Sequence, residues 1–387
     1  MRIALLTVAA SLVFAASASA GDIIVGFSAS DHSAAHRAAG GKVKGKIGGI
    51  NADVVSVPDG QEKAFIERYK RQAGVRYAEV DVPVYALTDD PGFANQWYLH
   101  SAGDIDVDQP EAWLKRGAFP AAVKVAVLDT GIDQDHRDLP PLSARGPQAN
   151  FSSSSRIDDL YGHGTHVAGT IAAIADNKLG VSGVAPNVVL LNGKVLGDSG
   201  SGSCSGVANG MTWAADQGAR VISMSLGGGS CVAQENAAAY AAGKGSLVIA
   251  AAGNSSTSSP SYPAFYPSVL AVAATDSADQ IASFSNFGSW VDIAAPGVNI
   301  YSTMPNHTSK LRTKNYGYLS GTSMATPVVS GIAALPALTD VNGSGGTADE
   351  LRSLLLASVD KQGTISSTKL PNAGRINACR VVGGSGC

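Results

Sequence analysis

The chain has 387 residues, 15% of them charged, a formal net charge of −3 and 45% apolar content. A balance so near neutral implies no nucleic-acid or polyanion partner, and no run beyond the N-terminus is long and apolar enough to cross a membrane. The length suits two or three domains.

Arg2, an apolar run over residues 3–16 and then Ala18-Ser19-Ala20 form the n-region, h-region and A-x-A site of an export signal. Residues 1–20 are therefore set aside from the fold, and the remainder is expected to be secreted. Four cysteines, Cys204, Cys231, Cys379 and Cys387, suit an oxidising compartment. Of three possible pairings, the simplest joins Cys204 to Cys231 and Cys379 to Cys387. No C-x-x-C or Cys/His zinc spacing is present.

Residues 21–88 read as a small α+β unit. Strands are expected at residues 22–27 and 51–57, a short helix at 32–39 and a longer one at 62–73. Extended chain returns at 75–87. Lys42, Lys44 and Lys46 lie in a Gly-rich link and read as a solvated loop. Thr88-Asp89-Asp90-Pro91-Gly92 then marks a turn-rich boundary.

Beyond it, short unbroken apolar runs alternate with helical stretches. The runs at 123–128, 188–191, 221–226, 247–252 and 269–273 read as buried strands. Helices are expected at 166–175, 206–217 and 233–242. Strands without polar alternation, separated by helices, imply a doubly wound, mostly parallel sheet covered on both faces. In such sheets functional groups collect at the carboxyl ends of the strands. The segment 323–387 reads as two helices and a tail, the second helix opening on a capping box of Thr347 and Glu350.

Four motifs fall at those ends. Asp129 closes the run 125–128 before Thr130-Gly131, as an orienting acid or a turn residue. His163 stands between Gly162 and Gly164 and is expected just ahead of its helix, free to act as a base. His166 is expected to be a hydrogen-bonded core residue, because no Glu or third ligand accompanies the pair as a zinc site needs. Asn254 follows Ala251-Ala252-Gly253, as an oxyanion donor, a turn residue or, through Asn254-Ser255-Ser256, a glycosylation acceptor. Ser323, in Gly321-Thr322-Ser323-Met324-Ala325-Thr326-Pro327, opens an apolar helix, where free N–H groups favour negative charge. It reads as an N-cap or as a nucleophile.

An acid, a base and a serine in that chain order, with these motifs around them, resemble the subtilisin-like serine proteases, of the thermitase and proteinase K kind. The resemblance spans about residues 90–380. It implies that Ser323 attacks the scissile carbonyl, His163 carries the proton, Asp129 orients the imidazole, and Asn254 completes an oxyanion hole. It implies a substrate edge at Ser225, Leu226, Gly227 and Gly228, and a pocket wall at Ala251, Ala252 and Gly253. Neither carries charge, so a broad, apolar-leaning P1 preference is expected. Residues 21–88 resemble a ferredoxin-like inhibitory propeptide, released near residues 87–90, and residues 89–387 become the peptidase domain. Structural calcium is implied at Asp90, Asp138 and Asn177, with carbonyls of Leu179 and Val181. Polypeptides and its own propeptide are the implied partners of a monomer. A bridge between Cys204 and Cys231 would stiffen the far side of the substrate cleft.

The chain departs from the family in the loop 140–160, which differs in length and composition. It also has Val328 and Val329 where His and Val often follow the proline. An α/β-hydrolase is disfavoured because the serine lacks the G-x-S-x-G context and the triad order differs. A catalytically dead binding protein is disfavoured because no triad residue is missing.

Overall fold

The computed structural model describes residues 20–28, 30–58, 60–81, 88–101, 105–116, 123–337, 346–361, 365 and 369–383. Residues 1–19 of the expected export signal and Cys387 lie outside the described residues, whereas Ala20 opens the first strand. The rest fall into two compact units that divide between residues 81 and 88.

The first unit contains β1 (Ala20–Phe27), α1 (Ser33–Ala39), β2 (Lys42–Ile47), β3 (Ala52–Pro58), α2 (Glu62–Lys70) and β4 (Val75–Val80). Its antiparallel sheet runs β2-β3-β1-β4. Ile23, Val25, Val55 and Val57 alternate onto one face and bury there against Phe65, Ile66 and Tyr69 of α2. The expected lysine loop is instead the edge strand β2. Its three lysines are exposed, and strand pairing comes from backbone groups that a polar side chain does not reveal. Lysines on an edge also discourage pairing with another chain.

The second unit begins with a 3₁₀ turn at Phe93–Asn95, followed by α3 (Gln109–Arg116), β5 (Lys124–Asp129), β6 (Gln148–Asn150), α4 (His163–Ala172) and β7 (Val189–Lys194). Next come α5 (Cys204–Asp216), β8 (Val221–Met224), α6 (Val232–Gly243), β9 (Leu247–Ala251), β10 (Val269–Thr275) and β11 (Ile293–Pro296). The chain closes with β12 (Ile300–Met304), β13 (Asn315–Leu319), α7 (Thr322–Ala337), α8 (Ala348–Ala357), β14 (Val359–Asp360), β15 (Arg375–Ile376) and α9 (Ala378–Val381). The main sheet runs β14-β15-β11-β10-β9-β8-β5-β7-β6 and is parallel throughout except for the edge pair of β14 with β15. From β5 the chain builds β6 and β7 on one side and β8 onward on the other. The carboxyl end of β5, where Asp129 sits, is therefore the point at which the sheet reverses its growth, the usual place for a site.

Both faces are covered. Val125 and Val127 of β5 face one core with residues of α3, α4, α7 and α8. Ala126 and Leu128 face the other, under α5 and α6. That is why the strands read as unbroken apolar runs. Helix α7 is apolar all round because it runs through the core: Val328, Val329, Ile332 and Ala333 have no exposed surface. Each such valine or isoleucine contributes roughly 1.5–3 kcal/mol of burial. The segment after α8, expected as a tail, adds β14, β15 and α9, and the hairpin β12–β13 was also not foreseen. Two-residue strands carry no period to read, and β13 has one tyrosine, Tyr318, exposed and the other, Tyr316, half-buried.

The capping box is formed: Glu350 N–H donates to Thr347 Oγ1 at 3.1 Å and Thr347 N–H donates to Glu350 Oε2 at 2.6 Å. Thr347→Ala is expected to lower stability by about 1 kcal/mol in denaturant unfolding; an unchanged midpoint would refute this role for the cap.

Candidate active site

Asp129 is the last residue of β5 and is 1% exposed. Its Oδ1 accepts from Thr130 N–H at 2.7 Å and lies 2.8 Å from His163 Nδ1. His163 is the first residue of α4 rather than a residue before it, and Gly162 is the N-cap. Gly162 holds φ 111°, a conformation that a side chain would strain. At Gly164 a Cβ would stand 2.1 Å from Gly131 O. These two glycines let the start of α4 press against the turn after β5. Burial disfavours the imidazolium of His163. The charge and hydrogen bond of Asp129, with the charge of Asp159, outweigh that and raise its pKa above the ordinary 6.5.

Asp159 is the residue whose part in this geometry the sequence did not show. It is fully buried, and its Oδ1 accepts from Thr130 Oγ1, Tyr161 N–H and Gly162 N–H at 2.8, 3.1 and 2.7 Å. Its Oδ2 accepts from Thr165 N–H and Oγ1 at 2.8 and 2.7 Å. Thr130 Oγ1 itself accepts from Gly164 N–H, and Thr165 Oγ1 from Asp133 N–H. Each hydroxyl can therefore only donate onward to Asp159. The carboxylate so pins the residue after Asp129 to the residues around His163. Lys194, also fully buried, donates to Thr130 O and pairs with Asp198 at 3.1 Å, supporting the same turn from below. His166 is the core residue expected: its Nε2 lies 2.9 Å from Ile300 O, and burial together with the nearby His163 pushes its pKa down to about 3.

Ser323 is the second residue of α7. Its Oγ donates to Ser225 O at 3.2 Å, and Ser225 Oγ donates to Ser323 O at 2.7 Å. Asn254 Oδ1 accepts from Thr322 N–H and Oγ1 at 2.8 and 2.9 Å, while Thr322 Oγ1 accepts from Gly253 N–H. That fixes the amide with its oxygen inward, leaving the NH₂ as the donor end of an exposed residue.

His163, Ser323, Ser225, Leu226, Gly227 and Gly228 line one open cleft of about 590 Å³. Gly228 is paired through its own N–H and carbonyl with Tyr262, so Gly227 keeps the freer backbone. Ala251 and Ala252 are buried, at 3% and 0% exposure, and neither they nor Gly253 and Asn254 are among the described residues lining this cleft. The opposite edge, Leu196 with Gly200 to Ser203, was missed, although its run of Gly and Ser signals open backbone. Cys204 and Cys231 form a disulfide in the cleft wall, joining the start of α5 to the cap of α6. Cys379 is disulfide-bonded as well.

Residues 121–374 match the subtilase family, Peptidase_S8, and residues 11–81 match the fervidolysin N-terminal prodomain. The chain belongs to the subtilase family. Thermitase from Thermoactinomyces vulgaris is 43% identical over 297 residues, spanning 76% of this chain and 98% of the relative. M-protease from Shouchella clausii strain KSM-K16 is 49% identical over 258 residues, spanning 66% of this chain and 64% of that relative. A solved protease structure from Pseudoalteromonas arctica PAMC 21717 is 32% identical with a TM-score of 0.67, spanning 77% of this chain and 99% of that one. The protein is thus a subtilisin-like serine peptidase preceded by a prodomain.

In the subtilase domain the residues expected to hold calcium lie together. Asp90 accepts from Asp176 and Asn177 N–H groups at 2.9 and 3.0 Å. Asp138 accepts from Asn177 Nδ2 at 2.7 Å and Val181 N–H at 2.8 Å, and Leu179 N–H donates to Asn177 Oδ1. Burial and the charge of Asp90 overcome the hydrogen bonds to Asp138 and push its pKa up to about 6. A buried carboxylate raised by burial and by a second carboxylate beside it marks an oxygen donor set short of positive charge, which fits a hard cation. Of the acids near residue 158, Asp159 has no lone pair to spare, whereas Asp158 Oδ2 stands 3.8 Å from His307 Nε2.

Asp159→Asn places amide hydrogens against groups that can only donate, and removes a charge facing His163. It is expected to lower the His163 pKa, read by imidazole proton NMR, and to lower stability by about 1–3 kcal/mol. An unchanged or higher His163 pKa would show that Asp159 does not act on the imidazole.

Proposed function

We propose that the chain is a secreted serine endopeptidase, made as a zymogen that frees itself of its prodomain near residues 87–90. The observation that carries this reading is the Asp129–His163 hydrogen bond beside a cleft shared by His163 and Ser323. An extended peptide pairs with the backbone at Leu226 and Gly227. The described residues lining the cleft include no Asp, Glu, Lys or Arg, which supports a broad P1 preference that leans apolar.

On substrate binding Ser323 Oγ leaves Ser225 O and gives its proton to His163 Nε2 as it attacks the scissile carbonyl. Asp129 holds the Nδ1–H tautomer and stabilises the imidazolium. The oxyanion is received by Ser323 N–H, at the start of α7, and by the Asn254 NH₂. The intermediate collapses, His163 returns its proton to the leaving amine, and water then hydrolyses the acyl-enzyme by the same steps. Only neutral His163 is a base, so kcat/KM rises with pH through the raised His163 pKa.

Asp90, Asp138, Asn177 and the loop through Leu179 and Val181 are proposed to hold calcium, which would supply positive charge to fasten that loop. The export signal and the oxidising context of the disulfide support secretion. The match of residues 11–81 to a prodomain supports an intramolecular inhibitor.

Ser323→Ala is expected to abolish turnover of a general protein substrate; full activity in that variant would refute the assignment. Asn254→Ala is expected to lower kcat about a hundred- to thousandfold with little change in KM, as for the equivalent amide of a subtilisin. A loss confined to KM would count against an oxyanion role.

A folded-state Asp138 pKa near 6, above its ordinary 3.8, means that without the ion its contribution to stability is present below the ordinary value and lost as pH rises through about 6. Calcium favours the charged form and offsets that loss. Chelation in the Ser323→Ala chain should therefore lower the thermal midpoint more near about pH 8 than near about pH 5. Equal shifts at both would rule out Asp138 as a ligand.

A further inference from the structure

In the prodomain two histidines converge on one buried carboxylate. His32 stands at the N-cap position of α1 and His36 lies one turn on, so both rings project from the same side of the helix. Asp53, on β3, is 2% exposed. His32 Nδ1 stands 2.6 Å and His36 Nε2 2.9 Å from Asp53 Oδ2. The other carboxylate oxygen, Asp53 Oδ1, is buried and has no hydrogen-bond partner among the described residues. Leaving an acceptor of a buried charge unmet is costly unless something else occupies the place.

The outer nitrogen of each ring has a hydrogen-bond partner. Asn51 Nδ2 donates to Phe27 O at 3.1 Å, which turns Asn51 Oδ1 toward His32 Nε2 at 3.1 Å. That nitrogen must therefore carry a proton, leaving Nδ1 as the atom able to coordinate. His36 Nδ1 is 2.8 Å from the hydroxyl of Tyr69, a fully buried residue, leaving Nε2 on the Asp53 side. Phe27 stacks on the His32 ring with centroids 3.9 Å apart and limits its rotation. A hydrogen bond from the outer nitrogen of each histidine is what fixes ring orientation and tautomer around a bound metal.

We propose that His32, His36 and Asp53 form a site for a divalent transition-metal ion of the zinc class. Two imidazoles and a carboxylate select such an ion over calcium or magnesium. Three protein ligands leave a fourth position for water or for Asp53 Oδ1. Ligand bonds of about 2.0–2.1 Å set donor atoms about 3.3 Å apart, so the two rings open by about half an ångström from their separations without the ion. Coordination uses the lone pairs of His32 Nδ1 and His36 Nε2, any proton on either atom passing to solvent, and no electron is transferred. A metal that binds only the folded prodomain adds its binding free energy to a unit too small to have much stability to spare. The consequence, a longer-lived inhibitory prodomain when the metal is present, rests on the zymogen reading above.

The test uses the full chain carrying Ser323→Ala, so that the prodomain is retained. Titration with Co²⁺ should give one equivalent of visible d–d absorption. His36→Ala should remove it, and His307→Ala should leave it. The latter variant controls for a second cluster able to hold a metal among the described residues, Asp133, Asp158 and His307 in the subtilase domain. X-ray absorption of the Zn²⁺-loaded chain should show two imidazoles in the coordination sphere, and this measurement decides the matter if His36→Ala does not fold. The proposal is overturned if no equivalent binds, if His307→Ala abolishes binding, or if a single imidazole is found. None of these readouts needs proteolysis or inhibition, so a negative result here leaves the zymogen reading standing. A prodomain that fails to inhibit would likewise leave the metal site standing.

Discussion

The Asp159 carboxylate, buried and met only by donors, ties the turn after β5 to the first turn of α4. Two threonine hydroxyls relay the same constraint: each accepts a backbone N–H and must hand its own proton to Asp159. The Asp129–His163 hydrogen bond is thereby set by backbone, before either side chain chooses a rotamer. Glycines at 162 and 164 supply the conformation and the close approach that this requires. If those two turns moved apart, neither the imidazole tautomer nor its distance from the cleft would be defined.

The same arrangement settles the electrostatics. His163 sits where burial alone would strip it of its proton, and two carboxylates restore the balance. His166, one turn along the helix, lacks such partners and is held neutral. Two histidines three residues apart thus behave oppositely. The parallel sheet then brings the remaining groups to the same end: Ser225 just after β8, Asn254 just beyond β9, and Ser323 on the helix that threads the core. Ser323 and Ser225 hold one another through reciprocal hydroxyl-to-carbonyl bonds, which keeps the nucleophile's helix in register with the substrate edge.

Much of this was legible because the signals are local. Unbroken apolar runs marked strands buried on both faces, the Thr347–Glu350 pair marked a helix start, and the glycines around His163 marked a close approach. The disulfide between Cys204 and Cys231 joins sequence neighbours, as the simplest pairing supposed. The failures have equally physical causes. Lys42, Lys44 and Lys46 disguised an edge strand, because pairing belongs to the backbone while the side chains face water. The edge at residues 200–203 and the part played by Asp159 depend on neighbours far along the chain or on hydrogen-bond direction, and neither leaves a periodic trace.

By itself the sequence determined the element types, the cap and turn chemistry, the candidate acid, base, nucleophile and amide, and their order along the chain. These follow from side-chain type, glycine conformation and apolar period, which act within a few residues. Only the tertiary structure decided that Asp129 and His163 are joined at 2.8 Å, that Gly227 rather than Gly228 keeps its backbone open, and that Asp159 stands behind them. Those outcomes depend on strand order and on which donor faces which acceptor. Both are set when distant segments close against one another in a packed core.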